Sequence, residues 1–270
     1  MSSVCVGANG SGVKGFIRVL AALLVGALLG QSALVAQSGP TAVAATAETT
    51  EGAALAAELR AARPIRSFTN SAILHLRAVD GHRTHVPITI RTVVPLKGDE
   101  WTVIYRAEPE AGPGHSGGQT LTLKHRAGLP SVFNLTHDGS PAGTVVSTNP
   151  DEAFAGSDFS VSDLGLEFFH WPGQRVIHRD RPEMRKGRPC RILESTRPGS
   201  TGCVRVRSWI DLEYRQPLMA EAYDIHGTLL KAFSVGSVKK VDGAWQLKDL
   251  EIVNESTGTL TRLEFDLKVK

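Results

Sequence analysis

The chain has 270 residues, and its 30 Lys+Arg against 27 Asp+Glu leave a net charge of only +3. That near-balance, with no basic patch interleaved with aromatics, excludes nucleic acid as an expected partner. It gives no reason to expect long-range steering of a charged ligand either.

The N-terminus reads as a secretory signal peptide over residues 1–44. Lys14 and Arg18 precede an apolar run, Val19 to Leu29, then come small residues, and no acid occurs before Glu48. The run is shorter than the ~20 residues of a membrane span. Cleavage is expected after Ala36 or Ala44; the alternative is an uncleaved anchor. Cys5 would leave with the leader, and no cysteine follows the apolar run to carry a lipid. The leader holds Lys14 and Arg18 and no acid, so the mature chain has 28 basic against 27 acidic residues. The expected location is the periplasm.

Residues 45–270 read as a single domain. Ala45 to Gly52 is expected to be a flexible lead-in. Ala53 to Ala62 is a run of strong helix formers ended by Pro64, with Leu55 and Leu59 one turn apart, and is expected to dock on a sheet. From Ser71 the period changes to two. Ala72, Leu74 and Leu76 form one face, and Val86, Ile88 and Ile90 another, with Asp80-Gly81 as the hairpin signal between them. Residues 101–106, 119–125 and 132–136 continue an antiparallel meander. Glu108 to Gly118, full of Gly and Pro, reads as an exposed loop.

Phe154, Phe159, Phe168, Phe169 and Trp171 then crowd into eighteen residues of a chain only 6% aromatic. Capping residue types at Ser157, Asp158, Ser160, Ser162 and Asp163 predict a short helix, and Pro172-Gly173 stops it. Val161, Leu164, Phe168 and Trp171 follow the spacing of one helical face. The stretch is either a plug in a hydrophobic core or a lid over an apolar cavity. The charged segment Gln174 to Lys186 reads as a solvated loop or strand edge. Further strands are expected at 189–194, 204–212, 220–224, 229–236, 243–250, 251–254 and 260–268. Cys190 and Cys203 flank a turn-rich connection and are expected to bridge a hairpin as a disulfide; the alternative is two free buried thiols.

The fold class is therefore α+β, mainly β: a curved antiparallel sheet of about eleven strands, a half-barrel or barrel, with helices covering its concave side. Such a sheet has an interior that side chains or a ligand must fill. No nucleophile elbow, phosphate loop or dinucleotide fingerprint is present. His178-Arg-Asp180 lacks the rest of a kinase loop. His82 and His85 would point to opposite faces of a strand. No catalytic residue, metal site or cofactor is expected.

Gly156-Ser-Asp-Phe-Ser-x-x-Asp-Leu164, Ser208-Trp-Ile-Asp211, Ala222-Tyr-Asp224, Gly227-Thr-Leu-Leu-Lys231 and Thr261-Arg-Leu-Glu-Phe265 occur in this order. From Ala53 to the C-terminus the chain resembles the outer-membrane lipoprotein-sorting proteins, the LolA-like family, in its poorly characterised branch. The resemblance implies a half-barrel with an apolar cavity that carries acyl chains of lipid or lipoprotein, with membrane transport components as partners. It carries over no binding residue by motif. The aromatic stretch supplies the candidates for cavity or lid: Phe159, Leu164, Phe168, Phe169 and Trp171. A non-catalytic envelope assembly protein, binding a protein partner through sheet edges, is the other reading.

Overall fold

The computed structural model describes residues 40–108, 118–139, 147, 149–178, 180–199, 201–241 and 244–267. The apolar leader, its cleavage point after Ala36 and residues 109–117 of the Gly/Pro-rich connection lie outside the described residues.

Helix α1 runs Pro40–Ala61. The expected flexible lead-in is thus helical. Thr49 and Thr50 bond back to the carbonyls of Ala45 and Thr46, at 3.0 and 2.8 Å, so their hydroxyls compete little with the helix. Leu55, Ala56 and Leu59 form its buried face. Gly52 is the point of closest approach: a Cβ there would stand 2.3 Å from the Cα of Arg175. A glycine costs about 1 kcal/mol inside a helix, and here it lets helix and strand backbones touch.

Thirteen strands follow: β1 Phe68–Arg77, β2 Arg83–Val93, β3 Glu100–Ala107, β4 Gln119–Arg126, β5 Leu129–His137, β6 Gly173–Ile177, β7 Glu183–Arg185, β8 Arg188–Thr196, β9 Arg205–Asp211, β10 Pro217–Tyr223, β11 Leu229–Val241, β12 Ala244–Asn254 and β13 Thr259–Phe265. They form one antiparallel sheet in the order β5-β4-β3-β2-β1-β13-β12-β11-β10-β9-β8-β6, with β7 also on β8. The sheet is two meanders zipped together where Ala72 faces Phe265 and Leu74 faces Leu263. It is open, because β5 and β6 are its two edges and do not pair.

One expectation on strand content needs correction. The separate strands expected over 243–250 and 251–254 are a single strand, β12, over Ala244–Asn254. The charged segment 174–186, expected as a solvated loop or strand edge, holds most of β6, an edge of the sheet, and β7. Its charges are matched on the outer face of the sheet: Arg175 bonds Glu194 at 2.7 Å, Trp209 donates to Glu183 at 3.1 Å, and the Arg185 guanidinium lies 4.8 Å over the Trp209 ring. Glu194 is 2% exposed between Arg175 and Arg207. Burial would raise its carboxyl, and the two arginines more than offset this, so it sits below the usual range.

The expected disulfide is absent: both cysteines are free thiols. The β8–β9 register pairs Cys190 with Asp211 and Thr196 with Arg205. Cys203 therefore lies level with the turn, about eight residues or ~26 Å along the hairpin from Cys190 at 3.3 Å per residue. Cys190 packs with Ile192, Trp209 and Leu218, whereas Cys203 packs with the helix-side core. A turn-rich connection suggests a hairpin but does not fix its register.

The topology forces one long crossing. The first meander ends at one sheet edge and the second begins at the other. The chain between β5 and β6 must therefore traverse the open side of the curve, and it is the aromatic stretch that does so.

Candidate functional site

The crossing strap folds in two steps. Phe154 N–H bonds the Phe159 carbonyl at 2.9 Å, and Ala153 bridges Ser160. Helix α2, Val161–Gly165, then starts on a complete capping box, in which Ser160 Oγ accepts from Asp163 N–H and Asp163 accepts from Ser160 N–H. It ends at Leu166, held in the left-handed region at φ 52°, a conformation that costs a branched residue roughly 1–2 kcal/mol. A 3-10 turn, Glu167–His170, follows. The break at Leu166 means that Val161 and Phe168 do not share the single helical face expected from their spacing.

The strap is tied down along its length. Asp158 accepts from Thr259 Oγ1 at 2.6 Å and Thr261 Oγ1 at 2.8 Å, while its own N–H donates to Thr261. Lys231 Nζ donates to the Asp158 carbonyl and to Asp163, at 2.8 and 2.9 Å. Farther on, Arg60 of α1 donates to the Phe169 carbonyl at 2.8 Å, and Gln174 donates to the carbonyls of Phe168 and Trp171. Asp158→Ala removes both threonine bonds to a charged acceptor, each worth about 1.5 kcal/mol or more. Amide exchange over residues 158–170 is then expected to quicken by roughly 10–100-fold, with strands β3 and β4 unchanged. Identical exchange in the variant would show that these bonds do not hold the strap.

Two spaces lie between strap and sheet. The first, about 800 Å³ counting its mouth, is apolar and is walled by Phe159, Leu164, Leu166 and Phe168 from the strap and by Tyr105, Phe233 and Phe265 among the strand residues. Its polar lining side chains include Asp163 and Lys231, already paired with each other. The second, about 610 Å³ counting its mouth, shares Tyr105, Leu164 and Leu166 with the first, so the two adjoin. Its walls include Arg60, Trp101, His125, Phe169 and His170.

The ionisable groups here are shifted by burial. It pushes the Tyr105 phenol up to about 12. Burial, with His170 nearby, brings His125 down to about 4; burial and then Arg60 bring His170 to about 4. His125 stacks on Trp101 with 5.0 Å between centroids and has Ser131 Oγ 2.9 Å from its Nδ1. Glu167, which hydrogen-bonds Ser131, is raised by burial.

Of the residues expected at the cavity, Phe159, Leu164 and Phe168 line the apolar space, and Phe169 lines its neighbour. Trp171 lines neither. Arg197 caps its ring at 4.5 Å, and it packs against the core beneath α1. The sheet wall, Arg60, His125 and His170 were not singled out by sequence. The inward positions of β12 and β13 were legible as alternation; the histidines were not, because only the fold brings β4, α1 and the strap together. Among the described residues no cluster of metal-ligating side chains occurs, and no helix is long and apolar enough to cross a membrane.

A comparison with curated proteins returned no match. Solved structures of similar fold include a DUF1329 family protein from Desulfovibrio piger, at 16% identity and TM-score 0.62, covering 81% of this chain and 91% of that one. Another is a domain from Vibrio parahaemolyticus, provisionally named an outer membrane lipoprotein-sorting protein, at 18% identity, TM-score 0.65 and coverages of 81% and 92%. A LolA superfamily protein from Nitrosomonas europaea is 17% identical with TM-score 0.56, over 83% and 94% of the two chains. A protein-family model described as "Uncharacterized protein" matches residues 116–269. That match spans more than half of the chain, which therefore belongs to this family of uncharacterized proteins, LolA-like in its fold.

Proposed function

We propose that the protein is a non-catalytic periplasmic carrier for lipid or lipoprotein acyl chains, taking part in outer-membrane lipoprotein sorting. The observation that carries this reading is the apolar space between strap and sheet, walled by Phe159, Leu164 and Phe168 and by Phe233 and Phe265, the apolar and aromatic lining that small-molecule sites use. Each buried methylene of a chain contributes about 0.8 kcal/mol, so an apolar wall suffices for affinity. Phe159, Leu164 and Phe168 are the acyl contacts in this reading, and Phe169 and Trp171 support the strap. The strap, crossing from one sheet edge to the other, is the element that opens. Membrane transport components would load and unload the cargo.

Native mass spectrometry and organic extraction of protein purified from the periplasm test the reading, and a co-purifying lipid or acylated peptide is expected. Ala222 lines the space from β10 and is only partly buried. Ala222→Trp should fill the space and cut uptake of a fluorescent fatty acid at least ~10-fold, a loss of about 1.4 kcal/mol, with circular dichroism unchanged. A clean apo mass together with no uptake by the wild type would transfer the case to an assembly protein that binds partners at its open sheet edges.

A further inference from the structure

Arg60, Tyr105, His125 and His170 line the second space, and no carboxylate is among its lining residues. Arg60 stands in the last turn of α1, where the carbonyl end of the helix favours a cation. Its one hydrogen bond goes to the Phe169 carbonyl, and its buried Nε has no partner. Among the described residues no carboxylate lies within ion-pair distance of it. Glu58 is paired with Arg215 and Asp163 with Lys231, while Glu167, beside Ser131 and with its Oε1 buried and unpartnered, is not among the lining residues. Tyr105, only 9% exposed, lines both spaces. The rings of His125 and His170 line the same space, and His125 has Ser131 Oγ at its Nδ1. By contrast, the apolar space has its Lys231 already neutralised by Asp163.

A guanidinium, a phenol and two imidazoles converging on a space without an acid call for an anionic acceptor. We propose that this second space seats the carboxylate or phosphate head group of an anionic amphiphile whose chain lies in the adjoining apolar space, with Arg60 as the principal contact. The inference rests on the carrier reading and narrows its cargo to acidic lipids. A charge-assisted bond to a planar or tetrahedral oxyanion is what an arginine fork provides.

Binding of dodecanoate, dodecyl phosphate and dodecanol to the full mature chain separates the two claims. Wild type is expected to bind the better anion at least ~10-fold more tightly than the alcohol, or about 1.4 kcal/mol; the tighter anion names the head group. Arg60→Gln should erase that preference and leave dodecanol affinity within ~2-fold, whereas Arg60→Lys should keep part of it. Equal wild-type affinity for anion and alcohol overturns the head-group seat and leaves the carrier reading standing. A preference undiminished in Arg60→Gln overturns the role of Arg60. Equal loss of anion and alcohol binding in that variant reduces Arg60 to a strut for the strap. Failure of all three ligands to bind wild type overturns the carrier reading, and the head-group seat falls with it.

Discussion

Asp211→Ala is expected to lower the unfolding free energy by about 3 kcal/mol, because it leaves Arg188 facing a buried, empty position. Asp211 is 0% exposed. It accepts from Arg188 through both oxygens, and from the N–H groups of Glu213 and Tyr214 at 2.8 Å each. Burial alone would raise its carboxyl. Arg188 and the two backbone donors more than offset this, so the group sits below the usual carboxylate range. Arg188 is partly exposed and keeps a second bond to Glu213 at 2.7 Å, which holds the loss below the top of the range for a buried pair. The effect reaches the cavity through the turn that Asp211 organises. That turn carries Arg215, in the left-handed region at φ 55°, which binds Glu58 on α1 at 2.8 Å. It also leads into Pro217, part of the wall of the apolar space. Urea unfolding should therefore show a lower midpoint at unchanged slope, together with weaker ligand uptake. Asp211→Asn, which keeps an acceptor for the turn, should lose roughly half as much. A wild-type midpoint in Asp211→Ala would mean that the pair contributes nothing net.

Period-two alternation was enough to place much of the sheet, because strands such as β1, β2, β3 and β13 bury every second residue over part of their length. Ala72 and Leu74, Ile88 and Ile90, and Leu263 and Phe265 all lie inward. What alternation does not encode is which strand sits beside which. The pairing of β1 with β13 joins the two ends of the domain, and it alone turns residues 149–172 from a connection into a strap across the open side. The aromatic content and the Ser160 cap were visible as a short capped helix. The left-handed Leu166 was not, since this conformation has no residue signature of its own at a leucine. The cysteine pairing failed for a related reason. Turn residues between 195 and 202 announce a hairpin, yet the strand partners decide the register, and they set Cys190 against Asp211. The charge run 174–186 was legible as a strand edge, and Arg175, Glu183 and Arg185 keep partly exposed side chains there; what the sequence did not show is that each is paired on a neighbouring residue. Arg60 is the converse case: an ordinary residue of an Ala-rich helix whose significance comes only from facing β4 and the strap.

The same polar space should make the protein acid-sensitive well above the carboxylate range. In the fold His125 and His170 are each held near 4, against about 6.5 in an unfolded chain. At higher pH both rings are neutral in either state and the shift has no effect on stability. As pH falls from about 6.5 toward 4, the unfolded chain takes up protons that the folded chain refuses, and stability declines. For the more buried His125 the loss between about pH 7 and pH 5 is on the order of 2 kcal/mol, and that for His170 is smaller because its ring is closer to solvent. Glu167 works in the opposite sense. Its carboxyl is raised in the fold, so it binds a proton there first and offsets part of the decline. Asp211 and Glu194, both held below the usual range, add their own losses only at lower pH. Urea midpoints measured across this range should therefore fall steadily below about pH 6.5. His125→Gln, which cannot titrate, should remove about half of the decline and restore none of the further loss below pH 4. A wild-type midpoint that is flat from neutrality to about pH 5 would mean that these rings reach water and carry ordinary pKa values, and that the space they face is wetter and less enclosed than its walls imply.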